Sequence, residues 1–223
     1  MTGSLNARRT VAVPWVLGLY ALAGAAFVVA AHIVGWYGDA TSPWVLAPFV
    51  ALLGGVQFLA GMWAFAARDG LATAMLGIWG SFWVAYGILS ALFATGRLTE
   101  PKGAFEDLAF WFVVLAAITW MGAVAATAEN MALVAVLGFL AAGSTFAAIG
   151  ESLGSDGFSV LAGSLFLAAA VCGWYTATAM MLEGTFRREV LPIGYASKKA
   201  TPPTASSAAP GALRQAPPAH RPV

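Results

Sequence analysis

The sequence predicts an all-α protein, a polytopic bundle of six transmembrane helices with the N- and C-termini cytoplasmic. Two observations predict the class. Apolar residues make up 60% of the 223 residues and charged residues only 9%, whereas a soluble domain carries about a quarter of its residues as Asp, Glu, Lys and Arg. The apolar residues are also gathered into six runs, each near the roughly 20 residues that cross a bilayer core at ~1.5 Å per residue. With so few charges, lipid must face much of the folded surface.

Charges or turn residues bound each run. The first span, 13–34, follows Arg8 and Arg9 and ends before Gly38-Asp39. Arg68-Asp69-Gly70 separates the second, 43–67, from the third, 71–93. The stretch from Gly96-Arg97 to Asp107 leads to the fourth, 109–128, and Glu129-Asn130 breaks that from the fifth, 131–150. Glu151 to Gly157 parts the fifth from the sixth, 158–182. Arg8-Arg9 followed by an apolar run and Ala21-Leu22-Ala23 has something of a cleaved signal. The run is longer than a signal core and five more spans follow, so a retained helix is expected. Residues 1–12 then form a short cytoplasmic N-terminus and residues 183–197 a juxtamembrane segment. Residues 198–223, rich in Ala, Pro, Ser and Thr, have nothing to build a core and are expected to be a disordered cytoplasmic tail.

Cation placement sets the orientation. With the N-terminus inside, the cytoplasmic side carries Arg8, Arg9, Arg68, Arg187, Arg188, Lys198, Lys199, Arg214 and Arg221, against Arg97 and Lys102 outside. Trp36, Tyr37, Trp44 and Trp111 fall near span ends, where amphipathic rings meet the headgroups.

Several function classes are disfavoured. A net charge of +1 with no block of like charges offers nothing to nucleic acid. Cys172 is the single cysteine, so no intrachain disulfide forms, and His32 and His220 are too few and too distant for a metal or haem site; no cofactor is expected. No Asp, Glu, Lys or Arg stands near the middle of any span, which argues against a proton pump or an intramembrane hydrolase, and so against an enzyme. A passive or weakly coupled pathway through polar and aromatic groups remains.

Polar residues at depth are its candidates. Gln57 stands near the midplane, where its amide must either bond to another helix or line a wet cavity. Ser81, Thr119, Ser144 and Thr145 can bond back to their own helices, and Tyr86, Ser90 and Tyr175 read either way. His32 and Glu151 lie at helix ends on the outer face, either as a solute mouth or as solvated end residues. The glycines of the second and third spans either let helices pack closely or thin a helix beside a pore.

Specific strings carry a resemblance. Gly54-Gly55-Val56-Gln57-Phe58-Leu59-Ala60-Gly61-Met62-Trp63 resembles the second-helix signature of the acetate uptake transporter family, the succinate–acetate permeases. Gly80-Ser81-Phe82-Trp83, Ala148-Ile149-Gly150-Glu151, Gly173-Trp174-Tyr175 and Val190-Leu191-Pro192-Ile193-Gly194 are similar to its later strings, in order and in register. The resemblance implies a six-helix subunit of a ring-like homohexamer in the plasma (inner) membrane, each subunit with its own pathway for acetate and similar small monocarboxylates. It also implies a hydrophobic constriction that falls on Leu22, Trp79 and Leu140. These stand nine, eight and nine residues after the span starts at Val13, Leu71 and Met131, a depth of roughly 12–14 Å in a ~30 Å core, so one ring is possible. Two departures stand out. The family's first-helix Asn-Pro-Ala-Pro-Leu-Gly-Leu is here Val13-Pro14-Trp15-Val16-Leu17-Gly18-Leu19, and its constriction aromatics become Leu22 and Trp79. The expected function is thus a small-monocarboxylate transporter or channel. A non-transporting sensor or assembly subunit, or a channel for ammonia or another small neutral solute, is the alternative.

Overall fold

The computed structural model describes residues 13–39 and 41–196. They form six helices: α1 (Pro14–Ile33), α2 (Ser42–Ala66), α3 (Gly70–Ala94), α4 (Glu106–Ala126), α5 (Met131–Leu153) and α6 (Asp156–Phe186). All six are long and apolar enough to cross a membrane. The first twelve residues and the expected tail from residue 198 lie outside the described residues.

Local chemistry starts and stops these helices. Pro14 opens α1, where a missing N–H costs nothing. Asp39 Oδ1 accepts from the Thr41 and Ser42 amides, both at 2.9 Å, just ahead of α2. Asp69 caps α3 by accepting from Ala72 N at 2.9 Å, while its other oxygen accepts from Trp15 Nε1 at 3.0 Å and ties α1 to the α2–α3 turn. Asn130 caps α5 through Leu133 N at 2.8 Å. Gly154, at φ +58°, ends α5 in the left-handed region that suits glycine. The helices overrun several apolar runs. α6 continues to Phe186 and α5 to Leu153, because a helix needs apolar residues only where it meets hydrocarbon.

The helices pack as a closed ring. Each touches its sequence neighbours, α6 returns to α1, and the α3–α4 seam is the thinnest contact around it. The tightest pair is α2–α3, and glycine makes it so. A Cβ on Gly54 would lie 2.6 Å from Val84 N, and one on Gly80 would lie 2.5 Å from Phe58 N. These glycines bring two backbones together rather than opening a pore beside them.

Inside the ring, one continuous core joins Leu22, Met75, Trp79, Phe82, Trp83, Phe112, Leu140 and Phe166. Outside it, Leu52, Phe65, Phe110, Met121 and Val124 are exposed, as lipid-facing residues should be. Beyond α6 the chain folds back as a strap. Gly194 O and Ile193 O accept from Met131 N at 2.9 Å and Ala132 N at 3.0 Å, occupying donors that a helix N-terminus leaves free. Ile193 is buried beneath it.

Candidate functional site

At the end of the ring opposite the strap, a vestibule of about 270 Å³ is lined by residues that include His32, Tyr86, Ser90, Glu100, Phe105 and Glu151. Beneath it lies a smaller chamber of about 80 Å³, room for two or three waters at ~30 Å³ each, or for one small solute. Five of the six helices contribute to its wall: Val29 from α1, Phe82 and Trp83 from α3, Phe112 from α4, Ala147 from α5, and Ala162 and Phe166 from α6. A cavity shared by five helices of a ring lies on the ring's axis. Tyr86, Leu108 and Glu151 line both spaces and so form the neck between them.

Behind the chamber's aromatic wall stands Trp79, which does not itself line the space. Trp79 meets Phe82 edge-on at a centroid distance of 5.6 Å, Trp83 at 5.8 Å and Phe166 at 6.1 Å. Its indole Nε1 donates to Thr119 Oγ1 at 3.0 Å, across the α3–α4 seam. Leu22, Trp79 and Leu140 are 3%, 1% and 0% exposed, and all belong to the core that fills the ring. The residues expected to constrict a pathway thus fill the centre of the bundle.

The other candidates divide. His32 and Glu151 both line the vestibule. His32 Nδ1 lies 3.2 Å from the Tyr37 carbonyl, which fixes the ring at the rim. Burial pushes the nearby Tyr37 hydroxyl above its ordinary pKa, and it donates to Val28 O at 2.8 Å. Thr119 is buried as the acceptor for Trp79. Gln57 is fully buried and neither its Oε1 nor its Nε2 has a partner; among the described residues Trp83 Nε1 is the other buried side-chain polar atom so placed. Ser81 sits on the exposed face of α3 and donates to Gly77 O at 2.8 Å, away from the axis. Tyr175 donates to Pro192 O at 2.7 Å and holds the strap rather than lining the chamber.

Sequence reasoning named Trp79 and Tyr86 as candidates but not the chamber's Phe82 and Trp83, although a signal was present. Trp79, Phe82, Trp83 and Tyr86 stand at i, i+3, i+4 and i+7, one face of one helix. Phe112 and Phe166 carry no comparable pattern, and only the fold brings them to that face.

Comparison with known proteins agrees with this architecture. No curated protein sequence matches the chain. Among solved structures, the fold is similar to one described as the structure of the bacterial acetate channel SatP. The TM-score is 0.75 at 22% identity, over 82% of this chain and 99% of that one. The sequence model of the GPR1/FUN34/yaaH family matches residues 3–192, which takes in all six helices, the vestibule, the chamber and the strap up to Pro192. The chain therefore belongs to the GPR1/FUN34/yaaH family, the acetate transporter family that its second- and third-helix strings resemble.

Proposed function

We propose that the chain is a membrane channel or transporter for acetate and similar small monocarboxylates. The solute passes from the vestibule, through the axial chamber, to a hydrophobic constriction formed by Leu22, Trp79 and Leu140. The observation that carries this reading is the chamber itself, a small aromatic space on the axis of the ring, open toward a polar vestibule, with Trp79 packed behind its Phe82, Trp83 and Phe166 walls. An apolar cavity accepts the methyl or ethyl tail of a short acid, and a constriction of large side chains gates by dewetting. Family membership supports the same reading, as does a fold shared with a protein described as an acetate channel.

In this reading His32 and Glu151 stand at the mouth, and Thr119 orients Trp79 by accepting its indole proton. Gln57 offers a free buried amide to water or to a solute carboxyl. Ser81 and Tyr175 take no part. Both termini are cytoplasmic, as the cation bias implies, so the vestibule faces outward and the strap inward. The exposed apolar belt serves lipid and neighbouring subunits of a homohexamer in the plasma membrane.

Uptake of labelled acetate into proteoliposomes tests the proposal. Flux well above that of empty vesicles, with competition from propionate, is the expected result. Flux no greater than that of empty vesicles at any pH defeats the proposal, and competition by methylamine but not by acids would favour a neutral-solute channel instead.

A further inference from the structure

Part of the vestibule wall is a loop, and the chain builds it stiffly. Residues 95–105 cross from α3 to α4 over the thinnest seam of the ring. Thr95 ends α3, and Gly96 follows at φ +68°, the left-handed turn by which a chain leaves a helix. Arg97 N and Leu98 N both donate back to Leu92 O, at 3.0 and 3.2 Å. At the far end Phe105 N donates to Glu151 O at 2.8 Å, and the Phe105 ring meets Phe93 edge-on at 6.3 Å. Between these pins comes Glu100-Pro101. Proline fixes its own φ and holds the residue before it extended, so the Glu100 backbone has little freedom. Both residues line the vestibule.

What the loop brings there is a carboxylate. Among the described residues no Lys or Arg lines the vestibule, and His32 is its one basic side chain. Arg97 and Lys102, close to Glu100 in the loop, are exposed and line neither the vestibule nor the chamber. Beyond the vestibule, the chamber of about 80 Å³ has a mainly aromatic and aliphatic wall. A monocarboxylate can lead with its apolar tail and leave its charge in the vestibule. A dicarboxylate carries charge at both ends and has no apolar end to lead with.

We infer that Glu100 sets the charge selectivity of the entrance, turning dicarboxylates away while monocarboxylates pass. The inference rests on the reading of the chain as a monocarboxylate pathway and names the acids that reach it. Coulomb repulsion scales with the product of the charges, so a dianion meets twice the barrier of a monoanion at the same distance. A concave vestibule with low-dielectric walls focuses that field. The loop is pinned at both ends, so Glu100 stays at the mouth as solute arrives. Its effect falls on entry, ahead of the chamber. A dicarboxylate is therefore kept from competing with acetate, and not only from crossing.

Competition against labelled-acetate uptake in proteoliposomes tests the inference, with two probes of similar length: succinate with two charges and monomethyl succinate with one. At about pH 7.5 in ~0.1 M salt, monomethyl succinate should compete at a lower concentration than succinate. Glu100→Gln should shrink that advantage about fivefold, roughly the effect of one unit charge on another across ~4 Å of water. Glu100→Asp, which keeps the charge, should preserve it. An advantage unchanged in Glu100→Gln overturns the inference, as does a wild type that shows none. Should the variants fail to fold, as judged by size exclusion, salt acting on the wild type decides. Raising salt to ~1 M shortens the screening length from about 10 Å to about 3 Å, and the advantage should shrink; one independent of salt overturns the inference. No wild-type acetate flux at any pH removes the transport reading and this inference with it. Acetate flux with a succinate response that Glu100→Gln leaves unmoved removes this inference alone.

Discussion

Trp79 donates its indole proton to Thr119 and packs against three aromatic rings, and the two contributions differ in size. A hydrogen bond between transmembrane helices averages about 0.6 kcal/mol. Removing a buried Trp side chain altogether costs about 3–5 kcal/mol. Bulk, not the bond, therefore fills the space behind the chamber wall. Trp79→Phe, which shrinks a buried ring and leaves Thr119 Oγ1 without its donor, should lower stability by about 1–3 kcal/mol and leave acetate flux close to wild type. Trp79→Ala should raise flux or admit longer acids, which a competition series of increasing chain length measures. Selectivity unchanged in Trp79→Ala would take the residue out of the gate. A different residue-scale effect belongs to Asp39, held below its ordinary pKa of 3.8 first by the Thr41 hydroxyl and then by the Thr41 amide and Ser42. A carboxyl lowered by folding stabilises above that ordinary value, and the stabilisation is lost as pH falls through the lowered one. Exchange of the Thr41 and Ser42 amides should therefore accelerate only in that acid window, well below neutrality.

At the scale of elements, the glycines divide by what surrounds them. Gly80 faces the α2 backbone so closely that a Cβ must displace it, whereas a Cβ on Gly55 meets nothing within 4 Å. Gly80→Ala should cost about 1–3 kcal/mol through overpacking. Gly55→Ala should be neutral or stabilising by up to about 1 kcal/mol through helix propensity. Thermal unfolding of the two purified variants separates them, and equal melting temperatures would mean that the α2–α3 crossing is looser than described. This division was not legible in the sequence, because Gly54, Gly55, Gly61 and Gly80 look alike until the crossing is known. The helices themselves were legible. Hydropathy marks the hydrocarbon-facing part of each, and caps such as Asp69 and Asn130 lie at the breaks between runs. The helix ends of α5 and α6 were not, since hydropathy stops at the headgroups while the backbone continues. The strap after α6 was visible only as a resembling string, and its pairing with the start of α5 is a matter of backbone geometry that residue type does not encode.

For the whole molecule, the ring turns six separately readable helices into one axis, and the chamber exists only at that level. His32 and Glu151 could be assigned to the same end of the bundle from topology alone, and the fold sets both in one vestibule wall. Ser81 and Tyr175 could not be excluded, because facing the axis or facing away depends on rotation about the helix, which a nearly uniform apolar run leaves unmarked. The central claim is that solute crosses through the chamber. Ala162 lines it and is 2% exposed, so a larger side chain there occupies the space directly. The most direct measurement is acetate uptake by Ala162→Leu, in protein shown by its melting temperature and size-exclusion profile to be folded. The account predicts flux near that of empty vesicles; flux equal to wild type through a filled chamber would contradict it.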